Sequence, residues 1–239
     1  MFDGPPPKPV EDGFEFVLEQ DSLADTLGLR LPNRSLWMIQ GEVGSGKSLV
    51  SQRLIYGLLE NGSKILVVTT ELTTRGWIEQ MESIGYPVTD YIASGMLMVF
   101  SRFGVIAEAK EGVDLFDVLE SDAIEKADVV VVDSASALMP EGLEPAQHLA
   151  TLQKLRKICS KSRSLLLTVD PNEMDGKLLH KLRSSCEVLL DMNTAFVGGE
   201  LKRTIYVTRF LRAAGPVQGS VGWRVEPFMG FIVDITAVS

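Results

Sequence analysis

Residues Gly41-Glu42-Val43-Gly44-Ser45-Gly46-Lys47-Ser48 follow the spacing G-x-x-x-x-G-K-S, the pattern of a phosphate-binding loop. Each residue type has a physical task in that pattern. Gly44 and Gly46 let the backbone bend back on itself, so that several N–H groups converge on one anion. A helix that starts at the loop adds its positive dipole end at the same point. The Lys47 ammonium reaches the β- and γ-phosphates, and the Ser48 hydroxyl is suited to hold Mg²⁺. The candidate nucleotide-binding residues are therefore Gly41, Gly44, Ser45, Gly46, Lys47, Ser48 and Leu49.

A nucleotide site needs further groups. Asp133 closes the apolar run Val129-Val-Val-Val-Asp133, the hydrophobic-strand-then-Asp pattern whose carboxylate orients the water shell of Mg²⁺, so Ser48 and Asp133 are the candidate Mg²⁺ residues. A buried strand that happens to end in Asp at a turn is the plainer reading of the same residues. Glu71 follows Thr69-Thr70 at the end of another apolar run, where ligands of parallel sheets bind, and is the candidate catalytic base that orients an attacking water. Its plainer reading is an exposed Glu at a helix start. Arg209 and Arg212 lie far along the chain from the loop. Arginine suits bidentate contact with phosphate oxygens, so in a ring of subunits these two are candidates to contact a neighbour's γ-phosphate; two solvated cations on a hairpin are the alternative.

The pattern around these residues predicts what positions them. Ser35–Gln40 reads as a buried strand before the loop and Leu49–Leu59 as the helix after it, stopped by Asn61-Gly62. Lys64–Thr70, Asp128–Asp133 and Ser164–Asp170 are near-continuous β-branched or aliphatic runs, as expected of strands covered on both faces. Leu97–Phe100 and Cys186–Leu190 read as further strands. Thr73–Ile84, Leu115–Ile124, Gln147–Ser162 and Leu178–Arg183 have helical spacing, and residues 101–113 read as a mobile loop. From Lys202 the pattern changes to hairpins, with strands at Thr204–Arg209, Trp223–Glu226 and Gly230–Asp234. Alternation of strand and helix implies an α/β fold with a twisted, mainly parallel sheet flanked by helices, extended at one edge by antiparallel hairpins. Residues 1–12 are Pro-rich and acidic and read as a flexible tail; residues 13–239 read as one domain without internal repeats.

Composition narrows the function classes. The chain has 239 residues, 45% of them hydrophobic, enough for a full core. A net charge of −9 counts against a nucleic-acid groove or a broad contact with an anionic membrane. Two histidines and two separated cysteines offer no zinc pattern, and the cysteines fit a reducing compartment. The N-terminus, Met-Phe-Asp-Gly followed by prolines, lacks a secretory pattern, and no apolar run approaches the length of a membrane span.

Two segments carry a resemblance beyond the loop. Gly41–Tyr56, GEVGSGKSLVSQRLIY, resembles the loop and helix of the KaiC-like branch of RecA-type ATPases. Thr70–Asp90, TELTTRGWIEQMESIGYPVTD, and the ending Val225–Gly230, VEPFMG, are similar to the FlaH (ArlH) family of that branch, the ATP-binding subunits at the base of the archaeal flagellum, or archaellum. The resemblance runs from about Phe14 to the C-terminus and implies a RecA-like P-loop fold, ATP and Mg²⁺ as cofactors, a homo-hexameric ring and little turnover. It implies a cytoplasmic location at the inner face of the membrane. The implied partners are the archaellum motor ATPase FlaI (ArlI), the membrane platform protein FlaJ (ArlJ) and a scaffold of FlaX or FlaC/D/E type. It places Lys47, Ser48, Asp133 and Glu71 on the family's loop, Mg²⁺ and catalytic-glutamate positions, and likens Arg209 and Arg212 to a Lys-x-Arg motif that faces a neighbour's nucleotide. Arg209-Phe-Leu-Arg212 has one residue more than that motif. Glu71 is followed by Leu72 where KaiC-type clock proteins carry a second Glu, which argues for slow or absent hydrolysis. The competing expectations are an active RecA/KaiC-type ATPase or autokinase and, third, a RecA/RadA-like DNA-recombination protein, against which the acidic balance counts.

Overall fold

The alternation of apolar residues in the central runs decides the layering. In Leu36–Gln40 (β3), Ile65–Thr69 (β4), Val129–Asp133 (β6) and Ser164–Val169 (β7), successive side chains point to opposite faces of one sheet. One face buries Trp37, Ile39, Ile65, Val67, Val129, Val131 and Leu166 against the helix Lys47–Glu60 (α2) and Thr74–Ser83 (α3). The other buries Leu36, Met38, Leu66, Val68, Val130, Val132, Leu165 and Leu167 under Leu115–Leu119 (α5), Pro145–Ser160 (α6) and Gly176–Ser185 (α7). Each strand is thus dry on both sides, and its run of aliphatics follows from that.

The computed structural model describes residues 13–104, 115–139, 144–161 and 163–234. The expected tail at 1–12 and most of the expected loop at 101–113 lie outside them. Before the central sheet come Phe14–Glu15 (β1), Leu23–Thr26 (α1) and Arg30–Leu31 (β2), with β1 and β2 pairing as a small antiparallel ribbon. Thr89–Ala93 (α4) leads into Leu97–Ser101 (β5). Val188–Val197 (β8), Glu200–Phe210 (β9), Ser220–Glu226 (β10) and Gly230–Asp234 (β11) complete the chain. The nine-stranded sheet has the order β11-β10-β9-β8-β3-β7-β6-β4-β5. Strands β8, β3, β7, β6, β4 and β5 run parallel, and β9, β10 and β11 extend the β8 edge in antiparallel fashion. The expected fold class is the one observed.

Several elements differ from the sequence expectation, among them α4, which the expected elements lack, and β9 and β10, which start earlier, at Glu200 and Ser220. The helix expected over Leu115–Ile124 ends at Leu119; Ser121 is extended (ψ 150°), and a 3₁₀ turn over Asp122–Lys126 follows. Ser121 and Asp122 favour such a break because their side chains compete for backbone groups. Strand β8 continues seven residues past Leu190, to Val197, paired throughout with β9. Its outer half is exposed, so no hydrophobic alternation marks it. The β1–α1–β2 segment is too short for periodicity to reveal and is held by the core. Phe16, Leu23, Leu27 and Leu31 are all buried, and Asp21 is clamped by Arg53 of α2.

Candidate nucleotide-binding site

The parallel strands converge their C-terminal ends on one edge, where the phosphate loop leaves β3. Gly41 is buried, and its N–H donates to Val169 O at 3.1 Å. Gly44 and Gly46 take φ of +79° and +91°, the left-handed backbone the loop needs. At Gly46 a second constraint acts: a Cβ there would lie 2.4 Å from the Trp223 ring of β10. The hairpin edge therefore packs directly on the loop. Gly46 also caps α2, so the free N–H groups of the first helical turn open at the loop. Ser45 is buried there, and its Oγ has no protein hydrogen-bond partner among the described residues.

The side chains that could meet a triphosphate gather around this point. Lys47 is buried; its Nζ donates to Glu42 O at 2.9 Å and lies 3.7 Å from the Asp170 carboxylate. Ser48 Oγ donates to Asp133 Oδ1 at 3.2 Å. Thr168 Oγ1 donates to the same oxygen at 2.5 Å, and Ser51 Oγ lies 3.4 Å from Asp133 Oδ2. Burial pushes the Asp133 carboxyl above the ordinary carboxylate range, while the Thr168 and Ser48 hydroxyls and the Lys47 ammonium pull it down. An oxygen-only pair, hydroxyl beside buried carboxylate, fits Mg²⁺, which takes one or two protein oxygens and completes its shell with water and phosphate.

Glu71 is placed by its neighbour. Thr70 N–H donates to Asp133 O at 2.8 Å, and Thr70 Oγ1 accepts from Ser134 N–H at 2.8 Å, so the end of β4 is stitched to the end of β6. Glu71 then stands at the mouth of the cleft lined by Gly44, Gly46, Lys47, Ser48 and Leu49. Desolvation in the cleft raises its carboxyl, Asp133 pushes the same way, and Lys47 opposes. A carboxyl moved upward toward neutrality is better matched to take a proton from water.

Arg209 and Arg212 stand elsewhere. Arg209 Nη1 donates to Ser184 O at 2.7 Å, and Arg212 Nη2 donates to Asn33 O at 2.6 Å. Both groups lie beside the N-terminal ends of β8 and β3, the opposite end of the sheet from the loop. The five residues of β3 alone span about 16 Å. Neither arginine meets the loop of its own chain.

Three charged residues of the cleft had no place in the sequence expectation: Asp170, Glu173 and Arg203. Arg203 of β9 pairs in register with Trp223, and its guanidinium lies 5.7 Å from that ring's centre. Its Nε is buried without a protein partner among the described residues. Only the pairing of β9 with β10 brings it over the loop; in the sequence it is one cation of the Lys202-Arg203 pair.

The chain matches the family described as "ATPase: KaiC" over residues 20–215. It is 32% identical over 224 residues to the archaeal flagellar ATP-binding protein FlaH of Methanocaldococcus jannaschii, covering 93% of this chain and 96% of that one. The chain belongs to the FlaH family of KaiC-type ATPases. FlaH of Methanococcus voltae is 28% identical, with 93% of this chain and 97% of the relative covered. The crystal structure of flagellar accessory protein FlaH from M. jannaschii superimposes with a TM-score of 0.84 at 31% identity, covering 93% of this chain and 99% of that one. The FlaH fold thus extends through the antiparallel hairpins that carry Arg203 and Trp223. No helix among the described residues is long and apolar enough to cross a membrane.

Proposed function

We propose that this chain binds ATP with Mg²⁺ at the Gly41–Ser48 loop and acts as a regulatory ATP-binding component of an archaellum motor complex. The observation that carries the nucleotide reading is the Ser48 hydroxyl 3.2 Å from the buried Asp133 carboxylate, at the head of a helix whose loop presents Lys47. In this reading the loop N–H groups and Lys47 hold the β- and γ-phosphates, Ser48 and Asp133 hold the ion, and Arg203 lies over the same cleft. Mg²⁺ held by Ser48 and Asp133 would neutralise part of the charge of the phosphates. The relatives named archaeal flagellar ATP-binding proteins support the system.

Chemistry is secondary in this proposal. Glu71 can orient a water, but Leu72 follows it where the clock ATPases carry a second glutamate. Bound ATP instead biases one conformation of the protein by its differential affinity. Purified protein given Mg-ATP is expected to release phosphate slowly. Fast release that Glu71→Gln abolishes would reject the regulatory reading in favour of a working ATPase.

The proposed assembly is a homo-hexameric ring that docks to the motor ATPase FlaI beneath the platform protein FlaJ, within a scaffold of FlaX or FlaC/D/E type, at the inner face of the membrane. In such a ring Arg209 and Arg212 face the nucleotide of the next copy. Their position at the opposite end of the sheet from their own loop takes them out of the same-chain site, as such a role requires. Arg212→Ala is expected to weaken ATP-dependent assembly, read by light scattering with and without Mg-ATP, while ATP affinity of the monomer stays within about threefold, a change of less than one kcal/mol. Equal loss of both would put Arg212 in the same-chain site.

A further inference from the structure

Asp170 directly follows β7, the strand between the phosphate-loop strand β3 and the Asp133 strand β6. Its carboxylate therefore points from the middle of the carboxyl edge, and Oδ2 lies 3.7 Å from Lys47 Nζ. Both side chains are almost fully covered, at 5% and 7% exposure, so solvent screens the pair weakly. The carboxylate is also held from behind. Oδ1 accepts the Asn172 N–H at 2.9 Å, and the Asp170 N–H donates to Ser136 Oγ at 3.3 Å. Ser136 Oγ donates in turn to Glu173 Oε2 at 2.9 Å, and Glu173 lines the same cleft. One short turn thus holds Asp170 beside the loop lysine and Glu173 in the same cleft.

A purely structural account exists: Asp170 caps the 3₁₀ turn Pro171–Glu173. That account needs an acceptor oxygen for Asn172 N–H, which asparagine also supplies. It does not need a negative charge beside the lysine, and burying one has a cost that a neutral cap avoids. The charge has a consequence for any phosphate that Lys47 takes. The phosphate shares its cation with a carboxylate already in place, and the repulsion is greatest for the phosphate nearest Lys47.

We propose that Asp170 is a resident counter-anion of Lys47, which pairs with the lysine in the nucleotide-free site and sets the preference between nucleoside di- and triphosphates. The proposal rests on the nucleotide reading of the Gly41–Ser48 loop. Asp170 lowers affinity for a terminal γ-phosphate relative to a diphosphate, so the site responds to the triphosphate only where the ion and the loop together outweigh that repulsion. Asp170 acts through Lys47 and is a positioning and specificity residue.

The test is the dissociation constants of ATP and ADP, each with Mg²⁺, measured by titration calorimetry on wild type, Asp170→Asn, Asp170→Ser and Lys47→Ala. Removing one unit charge a few Å from a phosphate in a partly screened site changes affinity by about tenfold or more. Asp170→Asn, which keeps the turn's acceptor and volume, is expected to tighten ATP by about tenfold and ADP by less than about threefold. Asp170→Ser, with a shorter acceptor, is expected to shift the ATP/ADP ratio in the same direction. An unchanged ratio, or weaker ATP binding, in a variant that melts like wild type overturns the proposal and leaves the nucleotide reading standing. Wild type that binds neither nucleotide, or Lys47→Ala that binds ATP like wild type, removes the nucleotide reading and the proposal together.

Discussion

Lys47→Ala is expected to lower affinity for Mg-ATP by at least about a hundredfold, removing the loop's only cation from phosphates that carry several negative charges. The measurement is thermal unfolding with and without Mg-ATP. A ligand at about one hundred times its dissociation constant stabilises the folded state by about 2.7 kcal/mol. For a chain of this size that raises the melting temperature by about 5–10 °C. In Lys47→Ala the increment is expected to fall to about 0.4 kcal/mol or less. The increment, not the absolute melting temperature, is the quantity to compare. Lys47 is buried against Glu42 O and Asp170, so its loss leaves the Asp170 carboxylate without its cation and lowers the ligand-free stability as well. A Mg-ATP increment that survives at full size in Lys47→Ala would place the nucleotide elsewhere.

The contrast between Lys47 and Arg203 explains what was legible in the sequence. The loop is a local device: its glycines, lysine and serine act within eight residues, and their spacing alone encodes the turn, the cation and the helix start. The central strands are legible for a similar reason, since burial on both faces demands unbroken runs such as Val129–Asp133. Glu71 and Asp133 lie at the ends of such runs, and parallel strands place those ends on one edge. Arg203, Asp170 and Glu173 reach the cleft by pairings that no local pattern records. Arg203 depends on the register Trp223↔Arg203 between β9 and β10. Asp170 reads as the last residue of a strand, and only the sheet order puts that strand beside β3 and the lysine. The outer half of β8 escaped for another reason: Asn193, Thr194 and Ala195 are exposed on a ribbon held by its partner strand, with no core face to impose a period.

The N-terminal segment was the least legible part, and it sits on the back of the helix that the phosphate loop starts. Arg53 of α2 is fully buried, with Nε 2.5 Å from Asp21 Oδ2 and Nη2 2.7 Å from Asp21 Oδ1. Its Nη1 donates to Phe16 O at 3.0 Å, so one guanidinium ties two points of the segment to the helix. Gly57, one turn further along α2, leaves room for this: a Cβ there would lie 2.4 Å from both Arg53 Nη1 and Phe16 O. Asp21 Oδ1 also accepts the Leu23 N–H at 2.9 Å, at the start of α1. Asp21→Ala is therefore expected to destabilise the protein by about 3–5 kcal/mol, because it leaves a buried guanidinium without its carboxylate. That corresponds to a fall of about 6–20 °C in melting temperature, well beyond the effect at an exposed pair such as Arg75–Glu79, where solvent screens the attraction. The double variant Asp21→Leu, Arg53→Met removes both charges and is expected to be more stable than Asp21→Ala alone, since no unpaired ion remains buried. Urea unfolding of the three proteins decides it. A double variant less stable than the single one would mean that the clamp acts through shape and the Phe16 contact, and that the buried charges matter little. If the charges do matter, the same single substitution also loosens the back of α2, and Mg-ATP affinity measured below the melting transition reports how far that loosening reaches the loop at its head.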